Sequence, residues 1–354
     1  MSLFFATERQ VAIAAVRRAC GLTSTVFNKL IKNETLTKGD KSPVTVGDFS
    51  AQAVVNTILS RAFPDDPIIG EEDTKDLRGD SPESTALRSR VIDLATESLA
   101  GELGLGEMEE WGLGPKHTHT PSQLLDAIDR GTYSGGAVGR MWTLDPIDGT
   151  KGFLRGEQFA VCLALIVDAK VQLGVIGCPN LSQDASKPDG PKGCMFVAVR
   201  GQGAEQMSIS GANPAPVKIP VFPDGDLNML ESVEAAHSSH SFNDRVSRHL
   251  GITRSPTRMD SQAKYCALSR GDGGIYLRLP GTSGYVEKIW DHAPGSLLVE
   301  EAGGVITDAR GLPLNFGLGR ELRENHGVVA AGKFVHEKVL AAVKEASEEE
   351  KPNV

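Results

Sequence analysis

Two aspartates in the middle of the chain have the spacing of a cation site. Asp145 and Asp148 flank a Pro-Ile pair within residues 142–153, Trp-Thr-Leu-Asp-Pro-Ile-Asp-Gly-Thr-Lys-Gly-Phe, where an apolar run gives way to Gly149 and Thr150. This pattern predicts the junction of a strand and a loop. Burying unpaired carboxylates in a packed core costs too much free energy, so we expect both side chains to point at a bound cation.

Three further acidic residues share this placement, at the end of a predicted strand or the start of a predicted helix: Asp48, Glu71 and Asp291. Taken alone, each is more often a helix cap or a solvated acid, and Asp48 fits a helix N-cap equally well. If all five acids converge, they concentrate a formal charge of about −5, which requires bound cations or raised pKa values. Ligand sets made only of oxygen atoms favour Mg²⁺ or Mn²⁺ over zinc.

Three motifs carry a resemblance to a known family. Residues 70–72 (Gly-Glu-Glu), 145–150 (Asp-Pro-Ile-Asp-Gly-Thr) and 290–295 (Trp-Asp-His-Ala-Pro-Gly) resemble the signatures of the lithium-sensitive, magnesium-dependent phosphatases of the inositol monophosphatase superfamily. Within it, the chain is most similar to the 3′(2′),5′-bisphosphate nucleotidases over nearly its whole length. The segments that carry this closer similarity are 43–48, 124–131, 148–153, 237–240 and 260–266. The resemblance implies the layered αβαβα sandwich of the inositol monophosphatase and fructose-1,6-bisphosphatase type.

The resemblance also implies a metal site. One Mg²⁺ would be held by Glu71, Asp145 and the carbonyl of Ile147, and a second by Asp145, Asp148 and Asp291. Pro146 would fix the backbone between the two aspartates, so that one carbonyl and two carboxylates point the same way. Mn²⁺ is the alternative to Mg²⁺ in this site. The family pattern implies inhibition by Li⁺ and Na⁺.

Asp48 and Thr150 are the residues that the resemblance implies for the chemical step. A third, looser ion would lie near Asp48 and Glu71, largely through water. Thr150, with Asp48 as its partner, would orient or deprotonate the attacking water. By itself, Thr150 fits a helix N-cap better, and the two roles are compatible because a helix N-terminus also favours phosphate.

A larger set of residues matches the positions that contact substrate in the nucleotidases: Gly149, Thr150, His237, Ser261, Lys264, Arg278 and Asp291. Lysine and arginine are the expected partners of a second, remote phosphate. Each residue also has an ordinary structural reading. Arg278 alone would be an outward-facing strand residue, His237 a capping or loop histidine, and Lys264 a surface lysine.

The activity implied is removal of the 3′-phosphate of adenosine 3′,5′-bisphosphate to give AMP and phosphate, in sulfur assimilation, with action on 3′-phosphoadenylyl sulfate as well. An inositol polyphosphate 1-phosphatase is the alternative enzyme. A non-catalytic, metal-dependent binding or regulatory protein is the alternative of another class. The intact acid set argues against the latter, because a protein without catalysis is free to lose Asp145, Asp148 or Thr150.

The elements that position these residues follow from hydrophobic periodicity and turn signals. At 354 residues the chain predicts two lobes: an α+β lobe over 1–220 with most of the metal ligands, and an α/β lobe over 221–354 with Asp291. Helices are predicted from about Glu8, where Thr7 and Gln10 resemble a capping box, and in other segments: 46–63, 87–99, 121–130, 242–250, 291–302 and 335–346.

Predicted strands include two hairpins, 159–167 with 171–176, and 194–200 with a short return strand after a Gly-Gln-Gly turn. Further strands are predicted at 229–233, 274–279, 304–308 and 327–331. Residues 74–139 form a mixed insertion that could border the cleft.

Composition restricts the partners. A net charge of −9 argues against a nucleic-acid binder, and no apolar stretch is long enough to span a membrane. Charged residues interrupt the N-terminal apolar run, so we expect no signal peptide there and a cytoplasmic protein. Five scattered cysteines indicate buried free thiols in a reducing compartment. We expect a monomer that binds a small nucleotide bisphosphate.

Overall fold

The computed structural model describes residues 4–29, 35–37, 43–223, 225–234, 240–279 and 285–349, so that the predicted contact residue His237 lies outside the described residues. The helices are α1 Ala6–Lys29, α2 Val46–Ala62, α3 Pro82–Ala100, α4 Pro121–Asp129, α5 Thr150–Arg155, α6 His240–His249, α7 Ala263–Arg270, α8 Ala293–Glu301 and α9 His336–Glu349. Short 3₁₀ turns lie at Glu109–Trp111 and Ile289–Asp291. The strands are β1 Thr35–Thr37, β2 Pro43–Thr45, β3 Ile68–Gly70, β4 Arg140–Asp148, β5 Ala160–Val167, β6 Lys170–Ser182, β7 Lys192–Val199, β8 Gly203–Ser208, β9 Ala215–Val217, β10 Met229–Glu231, β11 Thr257–Arg258, β12 Ile275–Arg278, β13 Gly304–Thr307 and β14 Val328–Gly332.

The larger sheet contains seven strands in the described part of the chain, in the order β3-β4-β5-β6-β7-β8-β9. Strands β3 and β4 are parallel, and the other neighbours are antiparallel. On β5, Leu163 and Leu165 face one hydrophobic cluster while Cys162 and Ala164 face another. Both faces of the sheet are therefore covered, which explains why β5 is apolar at every position rather than alternating.

The smaller sheet has five strands within the described residues, in the order β11-β10-β12-β14-β13. Strand β10 is parallel to β11 and β12, while β14 is antiparallel to β12 and β13. Alternate residues of β12 face opposite sides: Ile275 and Leu277 pack with α6 and α9, whereas Tyr276 packs with α7.

The helices and sheets form five layers. Helices α1 and α2 cover the outer face of the seven-stranded sheet, α7 and α8 lie between the two sheets, and α6 and α9 cover the outer face of the five-stranded sheet. The αβαβα sandwich that the sequence implies is thus confirmed. The strands of the two sheets come from residues 68–217 and 229–332. The division into lobes at residue 220 stays a prediction.

Both predicted hairpins are present. In the first, Asp168 and Ala169 both have left-handed backbone angles, with φ of 48° and 61°. Two successive left-handed residues make the tight turn whose twist matches that of the paired strands, and Val167 pairs directly with Lys170. In the second, β7 and β8 are joined across Gly201 and Gly203, which also have positive φ.

Some predicted boundaries are wrong. Helix α1 begins at Ala6, so Thr7 lies inside it and does not cap it. Helix α3 begins at Pro82, five residues before the predicted start, because Ser81 caps it and accepts a hydrogen bond from the backbone of Ser84 at 3.1 Å. Helix α7 was not predicted.

In the described residues, no helix combines the length and hydrophobicity of a membrane span.

Candidate active site

A β-bulge places the two central aspartates on the same face of the large sheet. Strand β4 runs through both residues, so the predicted loop after Asp145 is instead part of the strand. Asp145 lies opposite Cys162 and Asp148 opposite Ala160, so three steps along β4 match two along β5. The extra residue accommodates Pro146, which cannot donate to the ladder. Cys162 and Ala160 face the same cluster, so both carboxylates point to that side, between the sheets.

The register of β3 brings Glu71 next to this pair. Gly70 pairs with Leu144, and the backbone N–H of Glu71 donates to the carbonyl of Leu144 at 3.2 Å. Asp48 lies in the first turn of α2, and Asp291 ends the 3₁₀ turn before α8. Helix, strand and turn thus deliver the five predicted acids to one place.

The electrostatics of Asp145 confirm that the acids are close to one another. Burial raises the pKa of Asp145 well above its usual range, and the charges of Glu71, Asp148, Asp291 and Asp48 raise it further. Asp145 is only 3% exposed, and its Oδ1 atom is buried and accepts no hydrogen bond within the described part of the chain. A buried carboxylate oxygen surrounded by other acids is stable as an anion only beside a cation. The residues present therefore fit a metal ion.

Glu72 belongs to this acidic group and was missed in the sequence. Carboxylate oxygens of Asp48, Glu71 and Glu72 all lie within 4.8 Å of one another. Gln52 holds this segment in place, since its side chain accepts from the backbone N–H of Glu72 at 3.1 Å and donates to its carbonyl at 2.7 Å. The second glutamate of the Gly-Glu-Glu motif was the available signal.

Asp148 differs from Asp145 because cations and a backbone donor face it. The N–H of Gln262 donates to Asp148 Oδ2 at 2.5 Å. Burial raises the pKa of Asp148 to about 6, although the charges of Lys264 and Arg278 lower it. Part of the negative charge of Asp148 is therefore already neutralised by the protein.

Lys264 is buried, so the interpretation that it is a surface lysine is wrong. It is 2% exposed, and Nζ donates to the carbonyls of Met259 at 3.0 Å and Ser261 at 2.9 Å. Burial lowers its pKa to about 8, against the opposing charge of Asp148. Ser261 has a left-handed φ of 64°, so Lys264 binds and stabilises a strained turn.

Gly149 is where that turn meets the strand. Its φ is 87°, and a Cβ atom at this position would lie 2.9 Å from the Cβ of Ser261. Helix α5 starts at the next residue, so Gly149 and not Thr150 occupies the N-cap position. The hydroxyl of Thr150 donates instead to the carbonyl of Ile147 at 3.3 Å.

Arg278 belongs to a buried network rather than to the outer surface of a strand. Its Nη2 atom lies 2.7 Å from Glu287 and 3.4 Å from Asp291. Glu287 also accepts from His292 Nε2 at 3.0 Å, and Tyr265 donates to His292 Nδ1 at 2.7 Å. Burial acts to raise the pKa of Glu287, but Arg278 and His292 hold it at about 2. Glu287 and His292 were missed, although His292 is part of the Trp-Asp-His motif and Glu287 lies three residues before it.

Comparisons with known proteins identify the family of this chain. The family model described as inositol monophosphatase family matches residues 6–348. The chain belongs to the inositol monophosphatase family. The family is metal-dependent, and the acidic residues described above could bind a metal.

Curated relatives in this family cover almost the whole chain. A Schizosaccharomyces pombe protein named 3′(2′),5′-bisphosphate nucleotidase is 52% identical, over 96% of this chain and 95% of its own length. A protein of the same name from Emericella nidulans is 45% identical, covering 95% and 97%. An Arabidopsis thaliana protein named 3′,5′-bisphosphate nucleotidase 2 is 41% identical, covering 97% and 98%.

Solved structures of family members share the fold at low sequence identity. A Thermotoga maritima IMPase superposes with a TM-score of 0.60 at 21% identity, covering 96% of this chain and 97% of its own. The Bartonella henselae extragenic suppressor protein suhB has a TM-score of 0.62 at 19% identity, covering 96% and 99%. These likenesses establish the fold class that the sequence implied.

Most of the predicted site residues therefore lie around one cleft between the sheets. Five acids lie close together: Asp48, Glu71, Asp145, Asp148 and Asp291. Four other predicted residues adjoin Asp148 or Asp291: Gly149, Ser261, Lys264 and Arg278. Their individual roles as metal ligands or substrate contacts stay predictions. So does any role for His237.

Proposed function

We propose that this chain is a Mg²⁺-dependent phosphatase that hydrolyses the 3′-phosphate of adenosine 3′,5′-bisphosphate, giving AMP and phosphate. The observation that carries the proposal is the convergence of four carboxylates around that of Asp145, whose buried oxygen needs a cation. The name 3′(2′),5′-bisphosphate nucleotidase, borne by relatives 52% and 45% identical, supports the choice of substrate.

The charge balance of the cleft explains why the activity would depend on metal. The five predicted acids and Glu72 outnumber two buried cations, Lys264 and Arg278, so the site alone would repel a nucleotide bisphosphate. We assign Glu71, Asp145 and the Ile147 carbonyl to one Mg²⁺, and Asp145, Asp148 and Asp291 to another. Bound there, the ions would lower the pKa of a water and stabilise the attacking and leaving oxygens of the phosphoryl transfer.

Asp48 and Thr150 are proposed to prepare the water for attack. Asp48 is 2% exposed at the start of α2, and burial keeps its carboxylate from being solvated. The Thr150 hydroxyl donates to the Ile147 carbonyl, which leaves its oxygen lone pairs able to accept from a water. Thr150 would then orient the water, and the Asp48 carboxylate would accept the proton that the water loses.

The remaining residues are proposed to bind the nucleotide. Gly149 has no side chain, so the turn at Ser261 packs directly against its backbone, and we place the reacting phosphate beside this contact. The positive charges of Lys264 and Arg278 would attract the second phosphate. Lys264 also holds the turn at Ser261, because it donates to the carbonyl of that residue. The same contacts allow 3′-phosphoadenylyl sulfate to be a substrate, which would place the enzyme in sulfur assimilation, in the cytoplasm. Because Li⁺ and Na⁺ would compete for oxygen ligands, we expect both ions to inhibit.

Phosphate release measured with three substrates tests the proposal. Adenosine 3′,5′-bisphosphate should have a kcat/KM at least about tenfold higher than inositol 1-phosphate and inositol 1,4-bisphosphate, since about 1.4 kcal/mol of transition-state binding gives that ratio. A tenfold preference for either inositol phosphate would contradict the nucleotidase assignment and favour the alternative, an inositol polyphosphate 1-phosphatase.

Two variants separate catalysis from binding alone. Asp145→Asn should abolish turnover, and the same substitution at exposed Asp184, in the β6–β7 connection, serves as the matched control that keeps it. Turnover unchanged in Asp145→Asn would contradict the metal assignment. Nucleotide binding without any phosphate release by the unmodified protein would favour a non-catalytic binding protein.

A further inference from the structure

Arg320 lies in the connection between β13 and β14, far in sequence from the central aspartates. The backbone of this connection pairs with the segment before Asp291. The N–H of Ile289 donates to the carbonyl of Arg320 at 3.1 Å, and the N–H of Leu322 donates to the carbonyl of Glu287 at 2.8 Å. Arg320 therefore has a fixed place beside the 3₁₀ turn that ends at Asp291.

The side chain of Arg320 extends from there to the other sheet. Nη2 donates to the carbonyl of Gly70 at 2.6 Å, and Nη1 donates to the carbonyls of Gly131 at 2.9 Å and Tyr133 at 3.2 Å. The guanidinium carbon lies 4.8 Å from the centre of the Trp290 ring. One planar, forked group thus contacts the end of β3, the chain after α4 and the 3₁₀ turn at once.

Each end of this contact lies directly before a residue assigned to metal. Gly70 precedes Glu71, and Trp290 precedes Asp291. Glu71 follows a strand of the seven-stranded sheet, whereas Asp291 ends a 3₁₀ turn outside both sheets, and like charges on the two acids would push their segments apart. A rigid connection between the two segments would oppose that separation.

We propose that Arg320 is a positioning residue of the metal site, which fixes the Gly70–Glu71 segment relative to the Trp290–Asp291 segment. The inference rests on the metal assignment proposed above. Arg320 touches no metal or substrate itself and acts through the backbone of Gly70 and the ring of Trp290. Its three carbonyl partners require several donors in a fixed plane, which lysine cannot supply.

Titration of the chelator-treated protein with Mn²⁺ alone, by calorimetry, tests this inference without any substrate. Arg320→Gln should raise the Mn²⁺ dissociation constant at least tenfold, and Arg320→Lys by a smaller factor. Arg270→Gln is the matched control. Arg270 is also partly buried, donates to the carbonyl of Ser182 at 2.8 Å and packs over Phe196, away from the five acids. It should lower thermal stability and leave Mn²⁺ affinity within twofold.

The outcomes separate the two proposals. If Asp145→Asn abolishes Mn²⁺ binding while Arg320→Gln and Arg320→Lys bind as the unmodified protein does, Arg320 is only a structural residue and the inference is overturned. If Asp145→Asn binds Mn²⁺ normally, the metal assignment itself fails. Thermal melts identify any variant that is not folded, and the lysine variant, which keeps the charge, provides the test if the glutamine variant does not fold.

Discussion

Replacing Asp145 by asparagine should stabilise the metal-free protein while destroying its activity. Asp145 is buried, its Oδ1 accepts no hydrogen bond within the described residues, and four neighbouring acids raise its pKa. Asparagine has the same shape without the charge. Removing an uncompensated buried charge of this kind is expected to yield about 2 kcal/mol of unfolding free energy.

The size of the effect on melting follows from chain length. Unfolding entropy of roughly 2 cal/mol/K per residue gives about 0.7 kcal/mol/K for a chain of 354 residues. A gain of about 2 kcal/mol therefore raises Tm by about 3 °C. Metal at 100 times its dissociation constant stabilises the unmodified protein by about 2.7 kcal/mol, or roughly 4 °C, and should not stabilise the variant. The order of the two Tm values should thus reverse between chelator and Mg²⁺.

Differential scanning calorimetry at pH 8, in chelator and in Mg²⁺, measures both effects. Asp148→Asn is the control on the same strand, because Asp148 accepts from Gln262 and faces Lys264 and Arg278. It should show a smaller gain in chelator than Asp145→Asn, since Lys264, Arg278 and Gln262 compensate part of its charge. A lower Tm for Asp145→Asn than for the unmodified protein in chelator would refute the view that Asp145 is an uncompensated charge.

Three other predictions concern a buried carboxylate, the packing of the cysteines and the effect of Gly149 on activity. Burial acts to raise the pKa of Asp308, but hydrogen bonds from Arg310 and from backbone N–H groups lower it, so Asp308→Asn should lose about 2 kcal/mol at pH 7. Because the pKa of Asp308 is depressed in the folded protein, the difference in unfolding free energy between the two proteins should be present above pH ~4 and should disappear as the pH falls further. Urea unfolding over this pH range measures it, and a difference independent of pH would contradict the prediction. The cysteines are all buried and free, so a thiol reagent should react with none in the native protein and with five after denaturation; rapid native labelling would count against the packing. Gly149→Ala should lower kcat/KM at least tenfold, because its Cβ would meet Ser261 at 2.9 Å; Gly201→Ala, in the open β7–β8 turn, is the control, and equal effects would exclude a role specific to the site.

The parts of the fold that could be predicted are those set by local pattern. Strand β5 and the turn of its hairpin follow from a continuous apolar run and a turn signal, and β5 was predicted to within one residue at each end. Its partner β6 extends to Ser182, six residues beyond its predicted end. Helix α7 was missed for a physical reason. It lies between the two sheets and is buried at seven consecutive positions, 263–269, so it lacks the polar face that reveals a helix in sequence.

The site residues divide in the same way. Four of the five acids were predictable because they lie in motifs that resemble the family's three signatures, although each acid alone could be a helix cap or a solvated residue. The bulge was not, since the extra residue between Asp145 and Asp148 exists only relative to the register of β5. Arg320 could not be found either. Its partner Gly70 is 250 residues away in sequence, and no local pattern records such a contact.

The distribution of compensating charge indicates how the acids differ in function. Asp148 and Asp291 both face Arg278, and Asp148 also faces Lys264, so the protein itself lowers the pKa values that burial raises. For Asp145, by contrast, burial and all four neighbouring acids act in the same direction. A carboxylate buried in this way is stable as an anion only when a cation completes the site. Asp145 is therefore the acid whose charge the protein leaves for a cation to neutralise, which agrees with our proposal that this carboxylate is shared between two ions.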